Sequence, residues 1–197
     1  MIGSLPNVLT LFRIAVIPVL VAMFFVGGPT AMWVACGLFT LAGLTDYLDG
    51  AIARRRNQQS AFGRVLDPIA DKLIVSAALL MLAGFDHIEG WVMIPAVVIL
   101  CREIVVSGLR EFLAELNVPL PVTQLAKWKT TLQIVAIAVL IAAGALPATL
   151  YLRTIGEVGL SIAAGLTLIT GYDYLRAALG PIRKADAPRS QVGAPAP

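Results

Sequence analysis

Six apolar stretches dominate this sequence, at about residues 8–26, 31–53, 67–85, 91–112, 125–146 and 155–178. A helix needs ~20 apolar residues to cross a bilayer, so several of these reach only when their charged ends are included. The stretches are continuous, without strand-like alternation, and read as helices. Hydrophobic residues make up 58% of the chain and mean hydropathy is +0.85. Soluble domains sit at about 45–50% apolar. The pattern predicts an all-α integral membrane bundle of six transmembrane helices over residues 1–180. The stretch 181–197, basic and rich in Pro and Ala, is expected to be a disordered tail.

The first apolar run, Val8 to Val26, carries one charge, Arg13. No basic segment precedes it and no small-residue cleavage site follows, so it reads as a retained span rather than a signal peptide. Cys36 and Cys101 lie inside apolar runs and read as small buried hydrophobes. The net charge of +3 does not point to nucleic acid. The basic residues sit at the ends of spans, as suits an anionic membrane surface. Arg54, Arg55, Arg56 and Arg64 lie between spans two and three, and Lys127 and Lys129 open span five. Arg176, Arg183, Lys184 and Arg189 lie at or beyond the end of span six. The opposite loops hold Asp86, Glu89 and Arg153 as their one basic residue. The positive-inside rule places the basic side, both termini and any site there in the cytoplasm.

Against that background the stretch Thr45–Lys72 is anomalous, with Asp46, Asp49, Asp67 and Asp71 among its arginines. Asp46 lies fifteen residues past Ala31, roughly 22 Å at ~1.5 Å per residue. Asp71 lies fourteen residues before Phe85, roughly 21 Å. Two antiparallel helices thus bring carboxylates to one depth, just inside the cytoplasmic boundary. On span two, Asp46, Asp49, Gly50, Ala53 and Arg54 share one arc. Gly63, Asp67 and Asp71 form an i, i+4, i+8 stripe if the helix extends through Pro68. Otherwise Asp67 is an N-cap with proline at the first helical position. Four uncompensated carboxylates at this depth are costly. They can be a solvated loop paired with the neighbouring arginines, a proton relay, or a divalent cation site. Hard oxygen ligands with no His or Cys nearby suit magnesium or manganese, and four carboxylates can hold two ions. Paired ions suit displacement at phosphorus.

The run Asp46-x-x-Asp49-Gly50-x-x-Ala53-Arg54, eight residues, Gly63-x-x-x-Asp67-x-x-x-Asp71 resembles the signature of the CDP-alcohol phosphatidyltransferase family without a departure. "PNVLTLFRIAVIP", "REIVVSGLREFLAEL" and "KWKTTLQ" are similar to the bacterial members that make phosphatidylglycerophosphate. The resemblance covers the chain to about Leu175. It implies a homodimeric six-helix membrane enzyme of the bacterial inner membrane, with a cavity open to the cytoplasm and partly to the bilayer. It further implies displacement of CMP from a CDP-linked lipid by an alcohol, with Mg2+ or Mn2+ at two ions per site. By that correspondence Asp46 and Asp67 bridge both ions, Asp49 and Asp71 complete one shell each, and Asp71 is the general base. CDP-diacylglycerol would lie against Gly50, Ala53 and Gly63, with Arg54 offering a bidentate fork to its pyrophosphate. The small residues also suit close helix packing. Ser60, and Asn7, Thr10 and Arg13 from span one, are further candidates for this site. Arg13 can alternatively snorkel to the interface.

For the alcohol, Arg102, Arg110, Lys127 and Lys129 form a candidate phosphate site. Arg102 lies eleven residues past Trp91, roughly 17 Å into the bilayer, and needs an interior partner. Glu103 points about 100° away along the helix and is not expected to be that partner. The other reading of Arg110 and the lysines is ordinary positive-inside charge. With the resemblance, the cluster selects sn-glycerol 3-phosphate, the alternative being the same chemistry on another alcohol such as serine, inositol phosphate or phosphatidylglycerol. A membrane prenyltransferase and a cation transporter are rival classes. The first would show separate Asp-rich motifs, the second ion flux without CMP release.

Overall fold

The computed structural model describes the backbone of residues 5–56, 61–115, 124–146 and 150–186. Within these, the side chains of 5, 6, 46–56, 61, 62, 64, 65, 115, 150 and 181–186 lie outside the description. The described chain forms α1 Leu5–Val26, α2 Gly28–Arg56, α3 Ala61–Gly84, α4 Met93–Glu115, α5 Gln124–Gly144 and α6 Leu150–Asp186, with a 3-10 turn at Gly90–Val92 before α4. No strand occurs among the described residues, and the expected all-helical membrane bundle is the architecture found. Among the described residues, five stretches are long and apolar enough to cross a bilayer: Asn7–Val26, Gly28–Thr45, Gly90–Ala114, Gln124–Gly144 and Tyr151–Gly180. The remaining helix, α3, carries Arg64, Asp67, Asp71 and Lys72 in its amino-terminal half.

The helices outrun the apolar stretches at the basic end. α2 continues to Arg56 and α6 to Asp186, past Gly180 and Pro181, into the stretch expected to be a tail. Apolar composition marks where hydrocarbon ends, whereas Ala, Leu, Arg and Lys keep a helix going in water. Residues 187–197 lie outside the described residues. α3 runs from Ala61 straight through Pro68. Asp67 is therefore not an N-cap, and Gly63, Asp67 and Asp71 do form one helical stripe.

Packing is closest between α5 and α6, then α1 with α2, α4 with α6, and α1 with α3. Small residues allow the approach. A Cβ on Gly156 would come within 2.7 Å of the Leu140 side chain, and one on Gly159 within 3.2 Å of the Ala136 methyl. The interior holds Leu20, Phe24, Phe39, Leu82, Ile99 and Ile137. Buried among the helices are also Asn7, Thr10, Arg13, Lys129, Gln133, Thr167 and Thr170. The outer surface shows Phe25, Trp33, Leu80, Ile94, Ile104 and Trp128. Polar groups inside and large apolar groups outside suit a lipid solvent, and so broad an apolar exterior does not suit water.

At one end of the bundle the chain turns tightly. Gly27 and Gly28 take φ of 66° and 82°, which only glycine adopts freely, so α1 reverses into α2 almost at once. The Phe85 ring lies 5.8 Å from Phe24 and 5.1 Å from Phe25. Arg153 of α6 bonds Glu89 at 2.8 Å and Glu157 at 3.0 Å. The other end holds the candidate site.

Candidate active site

α1 and α3 run in the same direction, as alternating hairpins require, so equal steps along each helix stay in register. Asn7, Thr10 and Arg13 form a buried polar stripe on α1. The Thr10 hydroxyl donates to Asp67 Oδ1, and the Arg13 guanidinium donates to Asp71 Oδ1 as an ion pair. Arg13 is 1% exposed while Asp71 is 40% exposed. The cation thus approaches from the protein side and the carboxylate edges toward open space. Thr10 and Arg13, candidates for the nucleotide site, reach the motif carboxylates Asp67 and Asp71, and Arg13 does not snorkel. Gly63, one turn before Asp67, is buried.

α2 carries Asp46, Asp49, Gly50, Ala53 and Arg54 on unbroken helical backbone, so the helix assumed in assigning them to one arc exists. Their side chains lie outside the described residues, and Ser60 lies outside them entirely. Among the described residues no group of three or more His, Cys, Asp or Glu gathers to hold a metal. The described donors, Asp67 and Asp71, are hard oxygen ligands one turn apart on one face, which fits magnesium or manganese and not a thiolate- or imidazole-seeking ion.

Next to Asp71, Lys72 turns toward α4. Its ammonium donates to the Pro68 carbonyl at 2.9 Å and to the Ser107 hydroxyl, and Ser107 donates to Glu111 Oε1 at 3.2 Å. Deeper on α4, Glu103 accepts from Lys129 of α5 and lies 3.5 Å from Arg102. Arg102 also donates to the Thr170 hydroxyl at 3.1 Å and stands 5.8 Å from the Tyr174 ring centre, both on α6. A Cβ on Gly171 would press within 3.2 Å of the Arg102 side chain, so glycine there makes room for it. Lys129 is 2% exposed.

Glu103 is a partner of Arg102, because a long guanidinium side chain can sweep back to a neighbour that the 100° rule alone sends elsewhere. Of the four expected phosphate-binding cations, Arg102 and Lys129 share Glu103, while Arg110 and Lys127 are exposed. Lys72, Glu103, Ser107, Thr170 and Tyr174 were missed. Thr167, Thr170 and Tyr174 stand at helical spacing, a polar stripe inside an apolar span that could have flagged the inward face of α6.

The comparisons with known proteins agree with one another. A family model described as CDP-alcohol phosphatidyltransferase matches residues 3–169. The chain is 47% identical over 174 residues to a Rickettsia bellii protein, covering 88% of this chain and 94% of that one. It is 42% identical over 211 residues to a Cereibacter sphaeroides protein, covering 89% and 96%. Both relatives are named CDP-diacylglycerol–glycerol-3-phosphate 3-phosphatidyltransferase. In fold, the chain is similar to the apo crystal structure of Mycobacterium tuberculosis phosphatidylinositol phosphate synthase, with a TM-score of 0.65, 22% identity and 90% of each chain covered. It is also similar to that protein in complex with manganese and citrate, with a TM-score of 0.64, 20% identity and 90% and 84% of the two chains covered.

Proposed function

This chain belongs to the CDP-alcohol phosphatidyltransferase family, and from that premise we propose that it transfers the phosphatidyl group of CDP-diacylglycerol to sn-glycerol 3-phosphate, forming phosphatidylglycerophosphate and releasing CMP. The observation that carries this reading is the activity named for relatives that match nearly end to end. The chemistry is supported by the paired carboxylates of α3, set at the basic end of a membrane bundle. Asp46, Asp49, Asp67 and Asp71 would hold magnesium or manganese, two ions per site. Such ions, when bound, neutralise the pyrophosphate and stabilise charge at the phosphorus under attack.

The chain's own residues do the rest. Arg54, Gly50, Ala53, Gly63 and Ser60 receive the CDP moiety, with Asn7 beside them on α1. Asp71 takes the proton from the acceptor hydroxyl. That oxygen bonds to the lipid-linked phosphorus, the bond from phosphorus to the CMP oxygen breaks, and CMP leaves. Arg102, Arg110, Lys127 and Lys129 hold the acceptor's phosphate away from the reacting hydroxyl. Glu103 cancels one unit of that charge, so Arg110 and Lys127, exposed and unburdened by it, carry more of the contact with phosphate. The residues 1–180 act as one unit in the inner membrane, homodimeric, with site and termini cytoplasmic.

An acceptor panel tests the assignment. Purified protein in detergent is offered glycerol 3-phosphate, glycerol, serine and inositol, and CMP release is followed. Glycerol 3-phosphate should be strongly preferred. Arg110→Ala should raise its KM or lower kcat/KM roughly 10–100-fold, since a charge-assisted contact contributes about 1.5–3 kcal/mol. The KM for CDP-diacylglycerol should change little. Equal use of glycerol would leave the family reaction with a different alcohol.

A further inference from the structure

Two described contacts of α1 with α3 differ in electrical kind. Thr10 gives Asp67 a neutral donor, and Arg13 gives Asp71 a full positive charge. Arg13 brings its guanidinium cation to this place at 1% exposure. It needs an anion there as much as the anion needs it. A metal ion held by Asp71 would face that cation, and like charges at short range repel strongly outside bulk water. Thr10 raises no such conflict: its hydroxyl fixes a carboxylate oxygen and leaves the carboxylate charge for the ion.

We propose that Arg13 is the resident counter-cation of this carboxylate site, pairing with Asp71 before divalent ions bind and yielding that oxygen as they load, whereas Thr10 is a neutral positioning residue for Asp67. The inference rests on the metal-site reading above. It assigns α1 a task distinct from nucleotide contact. Arg13 keeps the ion-free bundle folded with its carboxylates close together, and in doing so it sets a ceiling on metal affinity. The two residues therefore have opposite effects on the same measurable quantity, which a shared structural role would not produce.

The test uses the full chain in detergent, with manganese binding read from the paramagnetic resonance signal of free Mn2+ and folding from thermal melts, so no turnover is needed. Arg13→Gln should tighten manganese binding by about tenfold or more, because an adjacent like charge is gone. It should lower the melting temperature without manganese and leave it near wild type at saturating manganese. Arg13→Lys should stay close to wild type in affinity. Thr10→Val should weaken binding by about tenfold, as lost outer-shell support does. If folded Arg13→Gln is recovered only when manganese is present during purification, that supports the proposal; failure to recover it with or without manganese overturns it. Unchanged or weakened binding in Arg13→Gln, with wild type binding normally, overturns the counter-cation role alone. A wild type without saturable manganese binding would overturn the metal-site reading as well.

Discussion

Asp71 meets three demands at one carboxylate: the ion pair with Arg13, a place among the proposed metal ligands, and the proposed proton acceptance. Asp71→Asn preserves its shape and removes its charge. General-base assistance contributes about 10²–10⁴-fold, so turnover should fall by at least that much, and further if a metal is loosened. Equilibrium binding of CDP-diacylglycerol should survive better than turnover. A near wild-type rate would assign the proton to another base. At this scale the sequence was most legible where spacing alone carries the information. Asp46, Asp49, Gly50, Ala53 and Arg54 on one helix, and Gly63, Asp67 and Asp71 on the next, need only the helical repeat to be grouped. Arg13 with Asp71 and Lys129 with Glu103 were not legible, because each joins residues from helices whose adjacency is a tertiary fact.

Among the elements, the α5–α6 pair is the one most dependent on small side chains. Leu140 is buried against Gly156, and a Cβ there would approach the Leu140 side chain to 2.7 Å and its backbone nitrogen to 3.3 Å. Gly156→Ala should therefore destabilise the bundle by about 1–3 kcal/mol through overpacking, despite alanine's better helix propensity. The check is a thermal melt in detergent together with a double-mutant cycle. Leu140→Ala alone should cost stability by leaving a cavity, and the pair should cost less than the sum of the two. Strict additivity would mean that the two side chains do not meet. Helix existence was legible from the apolar runs, and helix ends were not. A run such as 31–53 marks hydrocarbon depth, whereas α2 ends where backbone bonding ends, at Arg56. Pro68 left two readings of the start of α3. The packing of α1 alongside α3 through Thr10, Arg13, Asp67 and Asp71 accompanies helix on both sides of the proline.

Across the whole molecule, the motif carboxylates and the buried cations Arg13 and Lys129 lie toward one end of the described bundle. Separate contacts pair Arg13 with Asp71, Lys72 with Ser107, Glu103 with Lys129 and Arg102 with Thr170, and between them they touch five of the six described helices. The far end is closed by Phe24, Phe25 and Phe85 and by Arg153 with Glu89. Such polarity matches a lipid-linked substrate, whose acyl chains stay in the bilayer while its charged headgroup reaches the basic end. Phosphatidyl transfer at the α2–α3 carboxylates is the claim on which the rest depends, and one assay reaches it directly. Purified protein receives CDP-diacylglycerol and labelled glycerol 3-phosphate, and label entering chloroform-soluble lipid is measured beside CMP released. Expected is one CMP per lipid formed, abolished by EDTA and restored by magnesium or manganese, and abolished without metal rescue in Asp67→Asn. Transfer that continued undiminished in EDTA, or in Asp67→Asn, would contradict it.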